Sequence, residues 1–302
     1  MDRPFIDYIK CVGTGAKHNR DLTYEEMRDA MHRMLNGSAS PEQTAAFLLG
    51  WRLKPESVEE FRAALEAIDE TSETFPVENG LELGYPFDGK ADNPYIFPLA
   101  AGMVEPFGIN VVVNGGALQP AKGGATVKDV VESVSTPANL RYMDRSLYNP
   151  KLAALTPIRR ALGIRTGLNT IERLPGIAGC DTALIGVFHK PYVKKYIEIF
   201  GERYRRLVIV KGNEGTPEIF GKCRVWVYEN GDTTEFAIDS ASYGITYRKS
   251  FERIEREEGL GMLENPSSEL MGVARLNAAL WLYAKGVFDS LDSAYDRIAA
   301  DD

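Results

Sequence analysis

Over residues 1–72 the apolar positions recur every three or four residues, the period of a helix face turned toward a core. Tyr24, Met27, Met31, Met34 and Leu35 form one such stripe, and the methionines at this spacing read as core. It is opened by Thr23-Tyr24-Glu25-Glu26, in which a hydroxyl and a carboxylate can cap each other's backbone amides. Gly37 stops it. A second helix begins at Ser40-Pro41-Glu42-Gln43, with Pro at a position whose N–H has no helical partner anyway. A third begins at Ser57-Val58-Glu59-Glu60 and carries Val58, Phe61, Leu65 and Ile68 on one side. Residues 4–12 read as a short helix ahead of these. Loops this short favour an antiparallel bundle.

After about residue 75 the pattern changes. Leu81-Glu82-Leu83 alternates, and Ile109–Val113, Thr182–Phe188 and Leu207–Val210 are continuous apolar runs of the kind buried on both faces of a sheet. Helical patterns lie near 94–107, 126–134, 150–163 and 190–203. Strand and helix in alternation predict right-handed crossovers and a mostly parallel sheet. Cys223–Tyr228 and Thr233–Ile238 flank Glu229-Asn230-Gly231-Asp232, an Asn-Gly hairpin signal. Helices over about 268–284 and 290–300 close the chain. The predicted fold is a small helical bundle over 1–72, joined by part of 165–180, and a larger α/β domain over 73–302 with a mostly parallel central sheet.

Composition narrows the function classes. The 302 residues are 44% hydrophobic with a net charge of −8, so a polyanion partner would need a locally basic patch. No apolar run approaches the roughly 20 residues that span a membrane. The N-terminus lacks the apolar stretch of a signal peptide, which leads us to expect a cytoplasmic protein. Cys11, Cys180 and Cys223 are too far apart for a paired motif and read as reduced thiols. His18, His32 and His189 are too scattered for a metal cluster.

The chemistry gathers in two loops. The stretch GYPFDGKADNPYIFP (84–98) places Asp88, Gly89 and Lys90 between a strand and a helix, where bare amides often cradle a phosphate. Yet Pro86, Pro94 and Pro98 each lack the N–H such a cradle uses. After the next strand come Asn114, Gly115 and Gly116, then Lys122-Gly123-Gly124, a glycine-rich edge suited to a ligand cleft or to tight turns.

Four stretches together carry a resemblance: PEQTAAFLLGWRLKPESVEEFRAALEAI (41–68), RRALGIRTGLNTIERLPG (159–176), GVFHKPYVKKYIEIFG (186–201) and LNAALWLYAKGVFDSLDSAYDRI (276–298). They are similar to the anthranilate phosphoribosyltransferase family, the third glycosyltransferase family, over nearly the whole chain. Within it, GTGAKHNRDL (13–22) and YPFDGKAD (85–92) resemble a bacterial paralogue group known for nucleic-acid binding. The resemblance implies a dimer joined through the helical domain, with Phe47, Leu48 and Trp51 expected to offer apolar faces. It also implies displacement of pyrophosphate from an activated ribose phosphate with Mg²⁺.

The sequence departs from the family where that chemistry would sit. The phosphate loop G-T-G-G-D is here Tyr85-Pro86-Phe87-Asp88-Gly89, and Tyr95, Phe97 and Pro98 stand for the following Asn, Ser and Thr. The basic K-H-G-N-R motif is replaced by Val113–Ala117. Of the metal-binding Asp-Glu pair, Pro217 replaces the first acid; Glu218 remains, with Glu214 as a weak substitute for Mg²⁺. Arg159 fits the acceptor-recognising arginine and Arg165 the second. We therefore expect a phosphoribosyltransferase-like protein with a degenerate phosphate and Mg²⁺ site that does not make phosphoribosyl anthranilate. If it turns over, it is a pentosyl or phosphoribosyl transferase acting on a small phosphate- or carboxylate-bearing ligand. The alternative is a non-catalytic binder of single-stranded nucleic acid using Lys17, Arg20, Lys194, Lys195, Arg205 and Arg206. A ligand sensor using the same cleft is a third reading.

Overall fold

The computed structural model describes residues 3–247 and 253–300. Four helices open the chain: α1 Phe5–Gly13, α2 Tyr24–Leu35, α3 Pro41–Leu53 and α4 Val58–Asp69. Thr23, Ser40 and Ser57 cap the last three, and Glu26, Gln43 and Glu60 each bond back to the cap amide, as their spacing predicts. Ring contacts link Trp51 to Phe47 at 6.3 Å and to Phe61 at 5.4 Å, and its indole N–H donates to Glu60 at 3.1 Å. Phe47, Leu48 and Trp51 are fully buried within one chain. This corrects the expectation that they await a partner: Phe5 of α1, Phe61 of α4 and the turn at Gly167 already cover them.

The α/β part begins with β1 Gly80–Gly84, α5 Phe97–Val104, β2 Asn110–Gly115, α6 Val127–Ser133 and β3 Leu140–Asp144. Short helices α7 Arg145–Tyr148, α8 Pro150–Ala153, α9 Thr156–Leu162 and α10 Leu168–Ile171 then run back toward the bundle. The chain returns through β4 Thr182–Gly186, α11 Tyr192–Phe200 and β5 Arg206–Val210, turns in the hairpin β6 Cys223–Glu229 and β7 Asp232–Ile238, and ends in α12 Arg256–Glu264, α13 Ser268–Lys285 and α14 Leu291–Ala299. One helical pattern, 150–163, is broken into α8 and α9. Pro157 sits in the first turn of α9, where its ring and missing N–H forbid continuation from the preceding turn.

The seven strands form one sheet in the order β3-β2-β1-β4-β5-β6-β7, parallel through β5 and antiparallel beyond it. Alternate residues feed two cores. Leu184, Val208 and Val210 pack with α5, α13 and α14, whereas Ala183, Ile185, Leu207 and Ile209 pack with the helical bundle and with Leu168, Ile171 and Leu174. The bundle is thus docked on one sheet face through a continuous apolar cluster. Strand order reverses between β1 and β4, and the carboxyl ends of the parallel strands there are where a crevice opens in such sheets.

Candidate functional site

A cleft of about 760 Å³ lies at that switch point, walled by the loops after β1, β2, β4 and β5 and closed on one side by Arg52 of α3. Arg173, which sequence reasoning did not single out, builds its floor. The guanidinium is 2% exposed and donates to Gly84 O (3.1 and 2.6 Å), Gly186 O (2.9 Å), Gly215 O (2.7 Å) and Tyr196 Oη (3.2 Å). One side chain therefore clamps the carboxyl ends of β1 and β4 and the loop after β5, and no carboxylate among the described residues forms an ion pair with it. Its sequence signal is only its place beside Leu174 in the segment 165–180.

Three of the predicted residues meet here. The carboxylate of Asp88 is fully buried, 3.5 Å from Lys122 Nζ and 3.4 Å from Arg165 Nη1, and both of its oxygens lack a hydrogen-bond donor among the described residues. Lys122 donates instead to Glu214 O at 2.8 Å. Burial pulls the Lys122 ammonium below its usual range, more than Asp88 and Glu214 restore. Arg165 remains 44% exposed. Glu214 holds a left-handed backbone (φ 55°) that glycine adopts more readily, so strain is stored beside the cleft. Its Oε1 accepts from the Ala91 amide at 2.7 Å, and burial raises its carboxyl above the usual range.

Lys90 and Glu218 point elsewhere. The Lys90 ammonium pairs directly with Glu218 and donates to Pro94 O at 2.7 Å. Glu218 also accepts from Tyr85 Oη at 2.9 Å and from the Ile96 amide at 2.6 Å. Both charged side chains are fully buried. Gly89 brings two loops together: with φ +85° it lets its loop touch the next one, and a Cβ there would run into Gly123 O. The amides nearby are spent between loops, Lys90 N on Ala125 O and Gly123 N on Asp88 O.

Asn114 turns into the sheet and donates to Glu82 at 2.8 Å, while Gly115 and Gly116 are buried against Tyr142 and Arg145. Arg159 has an internal partner: it is fully buried and grips Glu172 with two hydrogen bonds of 2.7 Å, and Arg145 pairs with the same carboxylate. Burial works to raise the Glu172 carboxyl, but the two guanidinium charges outweigh it and hold it below the usual range.

The residues predicted for nucleic acid are dispersed. Arg20 is held by Glu26 (2.6 and 2.8 Å), Arg205 by Glu229 (2.6 Å) and Asp181 (3.3 Å), and Arg206 by Glu229 (3.5 Å) and Tyr283 O (3.1 Å). Lys195 donates to Glu56 O at 2.9 Å. Lys194, 85% exposed and 3.7 Å from Glu198, and the exposed Lys17 project outward.

An Mg²⁺ site fits these residues poorly. The one acid kept from the expected pair, Glu218, has its oxygens committed to Tyr85, Ile96 and Lys90. No group of three or more His, Cys, Asp or Glu side chains suited to a metal occurs among the described residues.

Comparison with known proteins agrees with this architecture. The helical bundle domain of the glycosyl transferase family matches residues 6–72, and its a/b domain matches 121–301. An uncharacterized protein of Aquifex aeolicus is 30% identical over 291 residues, covering 92% of this chain and 93% of its own. Anthranilate phosphoribosyltransferase of Neisseria meningitidis serogroup C is 30% identical over 302 residues, covering 90% and 85%. Among solved structures, anthranilate phosphoribosyltransferase from Thermus thermophilus superposes with a TM-score of 0.75 at 21% identity, covering 97% and 92%. The Saccharomyces cerevisiae enzyme in complex with PRPP and Mg gives 0.76 at 15% identity with the same coverage. With the helical bundle matched at one end and the a/b domain over most of the rest, this chain belongs to the glycosyl transferase family that includes the anthranilate phosphoribosyltransferases.

Proposed function

We propose that the cleft binds a small phosphate- or carboxylate-bearing ligand, on a phosphoribosyltransferase-like scaffold whose donor site has changed so far that phosphoribosyl anthranilate is not its product. The observation that carries this is the pairing of Lys122 and Arg165 at the open switch-point cleft, next to a floor charge, Arg173, that forms no ion pair with a carboxylate among the described residues. Cations there suit an anion, because guanidinium and ammonium donors form charge-assisted bonds to phosphate and carboxylate. Against ordinary donor chemistry stand the amides of Lys90 and Ala91, spent on Ala125 O and Glu214, and the filled carboxylate of Glu218. Each group lost where transition-state charge develops costs orders of magnitude in rate. Whether any pentosyl transfer is retained is decided by assaying the protein with PRPP, anthranilate and Mg²⁺: we expect no phosphoribosyl anthranilate, and turnover within a few-fold of a relative such as the Neisseria meningitidis enzyme overturns the reading.

The nucleic-acid alternative draws less support, since Arg20, Arg205 and Arg206 are engaged by carboxylates and the chain is acidic overall. For the dimer, Ile6, Leu49 and Leu53 replace Phe47, Leu48 and Trp51 as the faces a second copy would cover, being 50%, 37% and 70% exposed. Light scattering tests this: Leu53→Glu should lower the mass of the wild-type assembly toward one chain. The buried thiols of Cys11 and Cys180 suit the reducing cytoplasm.

A further inference from the structure

Given the anion-binding cleft proposed above, we infer that Lys90 supplies, as a fixed part of the chain, the positive charge that Glu218 would otherwise take from a divalent cation, so that phosphate-bearing ligands enter the cleft without metal. The carboxylate is committed on both sides. Oε1 accepts from Tyr85 Oη at 2.9 Å and from the Ile96 amide at 2.6 Å, and Oε2 is taken by the Lys90 ammonium. The ammonium is equally committed. It has three protons: one goes to Oε2, one to Pro94 O at 2.7 Å, and the third side faces the Phe220 and Tyr95 rings, 4.3 and 5.3 Å from their centroids.

Lys90 therefore has no proton to offer a ligand, and Glu218 has no accessible oxygen to offer a metal. Mg²⁺ needs oxygen ligands in near-octahedral array at about 2.0–2.1 Å and gives up water reluctantly. Reaching Glu218 would mean expelling a buried ammonium from a hydrogen-bonded cage and leaving its charge uncompensated, which is strongly unfavourable. The pair is also neutral as a unit, so no excess negative charge remains there for a cation to offset. Its mechanical effect remains: it ties the loop after β1 to the loop after β5, holding the cleft wall that carries Asp88. The sequence changes agree with one another, since Tyr85 and Lys90 both bond to the single acid left where Pro217 stands for its neighbour, and the Tyr95 ring packs beside them both.

The test is calorimetric titration of the full chain with pyrophosphate, once in EDTA and once in saturating Mg²⁺. Dissociation constants within about threefold are expected. Tightening by tenfold or more with Mg²⁺ overturns the inference while leaving the cleft reading intact, and no binding under either condition overturns both. A second arm compares wild type with Lys90→Ala by Mn²⁺ electron paramagnetic resonance and by melting with added propylammonium. The variant should bind Mn²⁺ at least tenfold more tightly than wild type, and propylammonium should raise its melting temperature but not that of wild type. Equal Mn²⁺ binding with no rescue by the amine overturns the assignment. If Lys90→Ala does not fold, the wild-type titration decides alone.

Discussion

Two buried carboxylates in this protein are each flanked by two cations, and they do opposite things. Glu172 lies between Arg145 and Arg159, every member buried, with both of its oxygens taken by guanidinium N–H groups. Asp88 lies between Lys122 and Arg165 at 3.5 and 3.4 Å, outside hydrogen-bond geometry, with one cation 44% exposed to the cleft. The first cluster is closed: its charged groups are buried and turned onto one another. The second is open, and its cations are held by charge without being saturated. The same residue types thus make a brace in one place and a ligand-ready surface in the other. What separates them is the carboxylate: both Glu172 oxygens accept hydrogen bonds, and neither Asp88 oxygen does.

The largest effect should come from breaking the closed cluster. Glu172→Ala leaves two buried guanidinium groups without a counter-charge, and a loss of about 3–5 kcal/mol in unfolding free energy is expected in urea titrations. Because Glu172 titrates below its ordinary range when folded, its contribution is present above that range and fades as pH falls through the folded value. Glu172→Ala should remove that part of the acid sensitivity.

Removing the open acid should do the reverse. Asp88→Asn discards a charge that competes with the ligand for Lys122 and Arg165, so sulfate or pyrophosphate should bind about tenfold more tightly, about 1.4 kcal/mol. Stability should fall less than in Glu172→Ala, since the amide keeps the shape, the carboxylate has no hydrogen bond to lose, and both cations left behind are partly exposed. Weaker anion binding in this variant would contradict the comparison. Arg165→Ala should weaken anion binding by a similar factor without lowering the melting temperature, because its side chain is 44% exposed.

How far the sequence reveals these clusters depends on what each residue touches. Capping boxes and apolar stripes are local, so α2, α3 and α4 begin where their spacing places them. Strand β3 escaped notice because it is an edge strand with only Leu140 buried, and α12 because Gly259 and Gly261 weaken its helical pattern. For the site, motif position brings Asp88, Lys122 and Arg165 into view, although they come from loops far apart in the chain. It cannot distinguish a ligand-facing cation from a structural one. Lys90 and Arg159 look like ligand groups until Glu218, distant in sequence, and Glu172, across an intervening turn, turn out to face them. Arg173 is hard to single out, since all but one of its partners, Tyr196 Oη, are backbone carbonyls.

The smallest effect concerns pH. Burial lowers the pKa of Lys122 and raises that of Glu214. As pH rises through the depressed lysine value, the ammonium is lost and anion affinity should fall; on the acid side, protonation of Glu214 above the usual carboxyl range should strengthen it. Sulfate, whose charge is constant over the range, should therefore bind progressively better as pH decreases. Lys122→Ala should abolish the alkaline limb of that profile.

One measurement bears on the contrast most directly: a crystal structure grown with pyrophosphate and Mg²⁺ present. We expect anion density within hydrogen-bond distance of Lys122 Nζ and the Arg165 guanidinium, with Lys90 still on Glu218 and Arg159 still on Glu172. Density for a metal at Glu218 with Lys90 displaced, or an anion bound to Arg159 in place of Glu172, would contradict it.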